Sequence, residues 1–271
     1  MKYVVQYLII FGDKEYTKLS TLLRKHGLAV PDRERILPEG QLTIRFEKTD
    51  PRRHDVVKEL RRIDIDPIES YRPSFEPWEL EQAELARLQV EGFCGEEFET
   101  WAKRLKLPPG ARVMDKRAMG KMDVARTYAW KEIVIAERVR EILEREGLTG
   151  WLAEPIQHRN PQKDTFPAMY QLLASSELPP LSPETEIYVD KHEGVEEGDI
   201  LYGTTALIER GPLCYRRGDL TRVADVNRTH EVFLEVTVGH PYFIFSQRAR
   251  QAFLRHRVRG DFVWEPVVIL E

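Results

Sequence analysis

The spacing of apolar residues changes several times along this chain, and each change predicts an element. Residues 3–11 (Tyr-Val-Val-Gln-Tyr-Leu-Ile-Ile-Phe) are dominated by β-branched and aromatic side chains and stop at Gly12-Asp13, which predicts a buried strand. Tyr16, Leu19, Leu22 and Leu23 then recur at helical spacing, and Gly27 supplies a C-terminal stop. Leu42, Ile44 and Phe46 alternate with polar neighbours, as in a half-exposed strand. Asp50-Pro51 offers an N-cap followed by proline at the first helical position, and Val56, Val57, Leu60 and Ile63 form the stripe of that helix. A strand near residues 68–71 would close a small β-α-β-α unit of two layers. Pro67, Pro73 and Pro77 punctuate the chain from there on, so a boundary is expected near residues 72–79.

Beyond it the pattern repeats. With an offset of 110, Arg138, Arg140 and Gly150 fall on Arg248, Arg250 and Gly260, while Val139, Ile142, Leu143 and Leu148 fall on Ala249, Ala252, Phe253 and Val258. One inserted residue later, Glu154-Pro155-Ile156 meets Glu265-Pro266-Val267. Upstream, Asp123-Val124-Ala125-Arg126-Thr127 matches Asp225-Val226-Asn227-Arg228-Thr229, with eight extra residues before the next match in the second copy. Each copy reads as an apolar strand, a helix of about ten residues with a buried stripe, and a second strand. Ser246 is a proper N-cap in the second copy, where the first has Ala136. Pro155 and Pro266 lack an N–H and predict a strand end or an edge. Residues 85–90 and 170–174 are candidates for matching leading strands. The expected architecture is α+β: a small unit at 1–79, then two tandem, pseudo-symmetric strand-helix-strand modules at 80–157 and 158–271, packed around a shared core.

Composition narrows the function classes without choosing among them. The 271 residues hold 41 Lys+Arg against 45 Asp+Glu, a net charge of −4, and are 42% hydrophobic. This is the balance of an ordinary globular protein rather than of a disordered chain or a generally basic nucleic-acid binder. No apolar run approaches the roughly 18 residues of a membrane span. The start at Met1-Lys2-Tyr3 lacks the plan of a signal peptide, so a cytoplasmic location is expected. Two cysteines, Cys94 and Cys214, make neither a disulfide framework nor a C-x-x-C pair. The helix expected after Asp50 clusters Arg52, Arg53, Lys58, Arg61 and Arg62, but interleaved acids favour a solvated face.

Candidate chemistry is sparse. Asp and Arg at i,i+3 in Asp123/Arg126 and Asp225/Arg228 could bind a phosphate or orient a base; equally, each Asp could bridge its Arg, or Asp with Thr127 or Thr229 could tie down a turn before a strand. Because the pattern is copied with the module, the structural role is favoured. The seven histidines show no metal-ligand spacing, and no metal or cofactor is expected. Cys94 lies between glycines with no base in sequence, and Cys214 reads as buried filler. One charge feature stands out. Glu184, Glu186, Asp190, Glu193, Glu196, Glu197 and Asp199 face a single Lys191, a local charge of −6 in sixteen residues, with Tyr188 and Tyr202 nearby. Such a surface would steer a basic partner, and the tyrosines would anchor it.

At residues 133–138 and 148–156, and again at 244–248 and 265–267, the chain resembles the double-CxxCG-motif and related immunity-type proteins of myxobacterial and other polymorphic toxin systems. There a "V-S-x-R" strand-to-helix turn leads through "L-x-G" to a closing "x-P-V" strand. The resemblance covers residues 80–271. It implies a cytoplasmic, non-catalytic protein that neutralises a cognate toxin by binding it. The paired C-x-x-C of the zinc-binding members is missing, so zinc is not carried over. The expected partner is a protein, a basic or nucleic-acid-processing toxin, with neither membrane nor nucleic acid. The alternatives are an enzyme with Asp123, Arg126, Asp225 and Arg228 converging between the copies on a small anion, and a nucleic-acid or regulatory module using Arg248, Arg250, Arg255, Arg257 and Arg259.

Overall fold

The computed structural model describes residues 2–11, 13–30, 40–47, 49–94, 106, 112–114, 119–127, 132–158, 168–190, 206–235 and 238–271. The protein is α+β and divides into two compact units, Met1–Glu76 and Pro77–Glu271. The break falls inside the proline-punctuated stretch.

In the first unit β1 (Lys2–Phe11), α1 (Asp13–Lys25), β2 (Gly40–Glu47), α2 (Arg52–Arg62) and β3 (Ile68–Ser74) succeed one another. The sheet order is β2-β1-β3, with both neighbours antiparallel to β1. Strand alternation sends Val5, Tyr7, Ile9 and Phe11 to one face, where they meet Leu19, Leu23, Val56 and Leu60 of the helices. Gly27 takes φ +68° and lets the Leu28 amide return to the Leu23 carbonyl at 2.8 Å, which stops α1. The Asp50 carboxylate accepts the Arg52 amide at 3.0 Å at the mouth of α2.

The second unit contains α3 (Pro77–Gln82), β4 (Leu85–Val90), β5 (Val113–Met114), β6 (Val124–Arg126), β7 (Ile133–Ala136), α4 (Glu137–Arg145), β8 (Trp151–His158) and β9 (Met169–Ala174). Next come β10 (Ile187–Asp190), β11 (Ala206–Glu209), β12 (Cys214–Arg216), β13 (Val226–Arg228), β14 (Phe233–Glu235) and β15 (Val238–His240). The chain ends with β16 (Phe243–Ser246), α5 (Gln247–Arg255), β17 (Phe262–Pro266) and β18 (Val268–Leu270). One sheet has the order β5-β8-β9-β7-β6 and another β13-β16-β4-β17.

Apart from β5, the two orders match strand for strand, and the registers correspond. Val124 stands opposite Ile135 as Val226 stands opposite Phe245, and Glu154 opposite Gln171 as Glu265 opposite Arg87. In the first sheet the central strand is β9, which comes after α4 in the chain. In the second it is β4, which precedes every other strand of both sheets. Each sheet is thus completed by a strand from the other expected module, and a division at 157/158 does not separate two self-contained modules. The reason is hydrogen bonding: β17 and β16 both need a partner on their inner edges, and β4 supplies it. One core draws on both sheets and both helices, with Ile135, Val139, Ile142 and Leu143 against Phe245, Ala249, Phe253 and Trp264. The eight extra residues of the second copy lie between Thr229 and Tyr242, and they carry the β14–β15 hairpin, which joins the sheet β10-β11-β14-β15.

Capping agrees with the sequence. Ser246 Oγ accepts the Ala249 amide at 3.1 Å, while Ala136 provides no side-chain cap. Pro266 ends β17, which is the sheet's edge strand, and Pro155 lies in β8 before its pairing with β5 begins at Gln157.

Candidate functional site

The paired Asp-Val-x-Arg-Thr segments sit at equivalent places, along β6 and β13 and their ends, and their side chains take up three separate jobs. Asp123 is 2% exposed and does not pair with Arg126. Its carboxylate accepts from Arg138 of α4 at 2.5 Å, and across the unit from the Arg259 amide at 2.9 Å and guanidinium at 3.0 Å. Asp225 does the same work in reverse. It accepts from Arg248 of α5 at 3.2 Å and, across the unit, from the Thr149 amide at 3.0 Å and hydroxyl at 3.1 Å, while Ser246 donates at 2.7 Å. Arg138 also donates to the His256 carbonyl and Arg248 to the Glu146 carbonyl. Residues 149 and 259, and 146 and 256, are separated by the repeat offset, so the two clasps are reciprocal. Burial pushes the Asp123 carboxyl up, but the Arg259 hydrogen bonds and the charges of Arg138 and Arg259 outweigh it and hold the group below the usual carboxylate range.

Thr127 and Thr229 close the adjoining turns. Thr127 Oγ1 accepts the Glu132 amide at 3.1 Å, and Thr229 Oγ1 accepts the Tyr242 amide at 3.0 Å. Arg126 lies with its guanidinium 4.8 Å from the Phe93 ring centroid, and Arg228 pairs with Glu177 at 2.8 Å. These two arginines flank neighbouring hollows that share Ile133, His240, Pro241 and Phe243. The hollow beside Arg228 has a volume of about 180 Å³. The alternative in which Asp123, Arg126, Asp225 and Arg228 converge is not formed: the aspartates are engaged inside the clasps, and the arginines stand at the other ends of β6 and β13. Nor is the α5 region a free basic face. Arg248 and Arg259 serve the clasps, Arg255 pairs with Glu146 at 2.7 Å, and Arg250 is buried and donates to the Leu80 carbonyl and to Gln247.

Arg87 belongs to none of the sequence motifs, yet it is a buried cation held by several partners. It is 6% exposed in the middle of β4, in ion pairs with Glu209 and, at 3.2 Å, Glu265, and its guanidinium lies over the Tyr242 ring. At the matching position of β9 stands Gln171, and there the cation is Arg112, which binds both Gln171 and Glu154. A charged residue inside the apolar run Leu-Ala-Arg-Leu-Gln-Val is the available signal, because a buried arginine demands partners.

The acidic segment begins just before β10, an end strand of its sheet. Glu184 is bound by Ser182 and by Arg216 at 2.9 Å, and these hydrogen bonds hold its carboxyl low. Glu186 is exposed, and Tyr188 is 42% exposed with the Arg210 guanidinium 4.2 Å from its ring centroid. Asp190 ends the strand; Glu193, Glu196, Glu197, Asp199 and Tyr202 lie outside the described residues.

Cys94 is fully buried, its Sγ donates to the Arg126 carbonyl at 3.2 Å, and burial pushes its thiol up to about 12. Cys214 is buried as well. His230 precedes the β14–β15 hairpin and His240 ends it, and they go to different partners, Glu177 for the first and the Tyr242 ring for the second. Among the described residues no group of three or more His, Cys, Asp or Glu could hold a metal ion, and no helix is long and apolar enough to cross a membrane. Comparison of the chain with family models, with curated proteins and with solved structures gives no match.

Proposed function

We propose that this chain is a non-catalytic protein-binding protein, most concretely an immunity-type inhibitor that neutralises a cognate bacterial toxin in the cytoplasm by direct contact. The observation that carries the reading is Tyr188. A tyrosine 42% exposed on an end strand, held against Arg210 and opening the most acidic stretch of the chain, has the makeup of an interface anchor. The surrounding acids would draw in a basic or nucleic-acid-processing partner and orient it. The use of Asp123 and Asp225 as internal clasps supports a role without catalysis by those residues.

The test is co-expression with the toxic C-terminal region of a secreted protein encoded in the neighbouring reading frame. Rescue of growth and co-purification of the pair are expected, with Tyr188→Ala combined with Glu186→Lys weakening the complex at least tenfold. Neither rescue nor a complex would remove the reading.

A further inference from the structure

We infer that the first unit carries a binding pocket for a small phosphorylated ligand, formed by one flank of α2 and the sheet beneath it. The inference stands apart from the protein-binding reading, which concerns the other unit. A hollow of about 350 Å³ is lined by Tyr7, Arg53, His54, Val57, Lys58 and Arg61, and this volume is in the range of small-molecule sites. This lining contains three permanent cations, an imidazole and a phenol.

Helix geometry explains how an alternating run of charges leaves one flank of α2 without an acid. At 3.6 residues per turn Arg53, Val57 and Arg61 form one row and His54 and Lys58 the next, all on one side of the buried Val56–Leu60 stripe. Asp55 and Glu59 fall on the other side. Glu59 is taken there by Lys25 at 2.6 Å and His26 at 3.3 Å, both at the end of α1. Asp50 is engaged by Arg52 at 2.7 Å, and Asp66 takes Arg61 at 3.0 Å. Among the described residues, Arg53, His54 and Lys58 have no side-chain partner in a hydrogen bond or ion pair. Arg53 is half-buried, and its planar fork suits bidentate binding of a phosphate, with Lys58 as a point charge beside it. Tyr7 is 3% exposed and sits on the helix-facing side of β1, so it provides a rigid wall with Val57 for the organic part of the ligand.

The experiment is isothermal titration of the full chain, at fixed ionic strength, with inorganic phosphate, pyrophosphate and ADP, and in parallel with a single-stranded RNA dodecamer. Saturable binding of pyrophosphate or ADP is expected, tighter than that of phosphate. The double variant Arg53→Gln/Lys58→Gln should weaken it at least tenfold, whereas Arg52→Gln, outside the pocket, should leave it within twofold. Both altered residues lie outside the helix's buried stripe, and thermal melting checks their folding; should the double variant not fold, Lys58→Gln alone should weaken binding at least threefold. No saturable binding of any phosphate probe, equal binding by the variants, or binding of the RNA alone would each overturn the inference.

Discussion

Glu146 and His256 occupy the same place in their respective turns, 110 residues apart, and they hydrogen-bond to each other, His256 Nε2 to Glu146 Oε1, at 2.7 Å. A contact between equivalent positions is what a two-fold relation between halves produces at its axis. Around it the pattern is reciprocal: the backbone carbonyls of these same residues receive Arg248 and Arg138, which also donate to Asp225 and Asp123. The junction is therefore polar at its rim and apolar within, where Val139, Leu143, Ala249 and Phe253 meet.

Removing one aspartate takes the acceptor from several donors at once. Asp123→Ala is expected to cost about 2 kcal/mol in urea unfolding, because the Arg259 amide and the partly exposed Arg138 and Arg259 guanidinium groups lose a buried, shared acceptor. Arg126→Ala, whose guanidinium lies against the exposed Phe93 ring, should cost less than about 1 kcal/mol.

The same carboxylate gives stability a dependence on acid. Its folded pKa is depressed relative to an unfolded value of about 3.9, so its contribution is complete above that value and is lost as pH falls through the lower, folded one. The difference in urea midpoint between wild type and Asp123→Asn should be constant from pH 7 to pH 5 and shrink towards pH 2.5. A difference that grows with acid would contradict the clasp.

Gly150 and Gly260 mark where each half touches the other's backbone. A Cβ at Gly150 would lie 2.3 Å from the Val226 carbonyl oxygen, in a residue with φ +82°, and one at Gly260 would lie 2.6 Å from the Val124 oxygen. Gly150→Ala should destabilise by more than about 2 kcal/mol, since strain and overlap act together. Gly260→Ala, strained by overlap alone, should cost less. Gly218, with open space around it, should accept alanine within about 0.5 kcal/mol, and chemical denaturation ranks the three.

Gly147 ends α4 at φ +59°, and its counterpart after α5 is Arg257 at φ +49°. Both let the next amide return to the helix, Leu148 to Leu143 and Val258 to Phe253, each at 3.0 Å. An arginine bears the steric cost that glycine avoids, so Arg257→Gly should raise stability by about 1 kcal/mol, measured as an increase in Tm.

Cys94 offers a chemical check on burial. With its thiol near 12, the thiolate fraction at pH 8 is on the order of 10⁻⁴. Native protein should resist iodoacetamide for hours, while both cysteines should react in urea, as read by mass spectrometry.

Much of the local structure was legible in the chain. The stop at Gly27, the Ser246 cap, the stripes Val56–Leu60 and Val139–Leu143, and the spacing of the repeated strand-helix-strand segments all depend on interactions within a few residues, which periodicity and capping chemistry report directly. Periodicity does not carry the identity of a partner. An apolar run such as Leu85–Val90 demands two neighbours but does not say which, and tertiary structure alone put it between β16 and β17 rather than beside the next strand of the chain. The i,i+3 spacing of Asp123 and Arg126 suggested a pair, but a strand turns alternate residues to opposite faces, and the aspartate's partners came from 15 and 136 residues away. The charges of residues 50–66 balance along the sequence and separate only around the helix. The amino-acid order determined which faces must be buried; the fold, by choosing what buries them, decided which charges were paired inside and which were left at the surface.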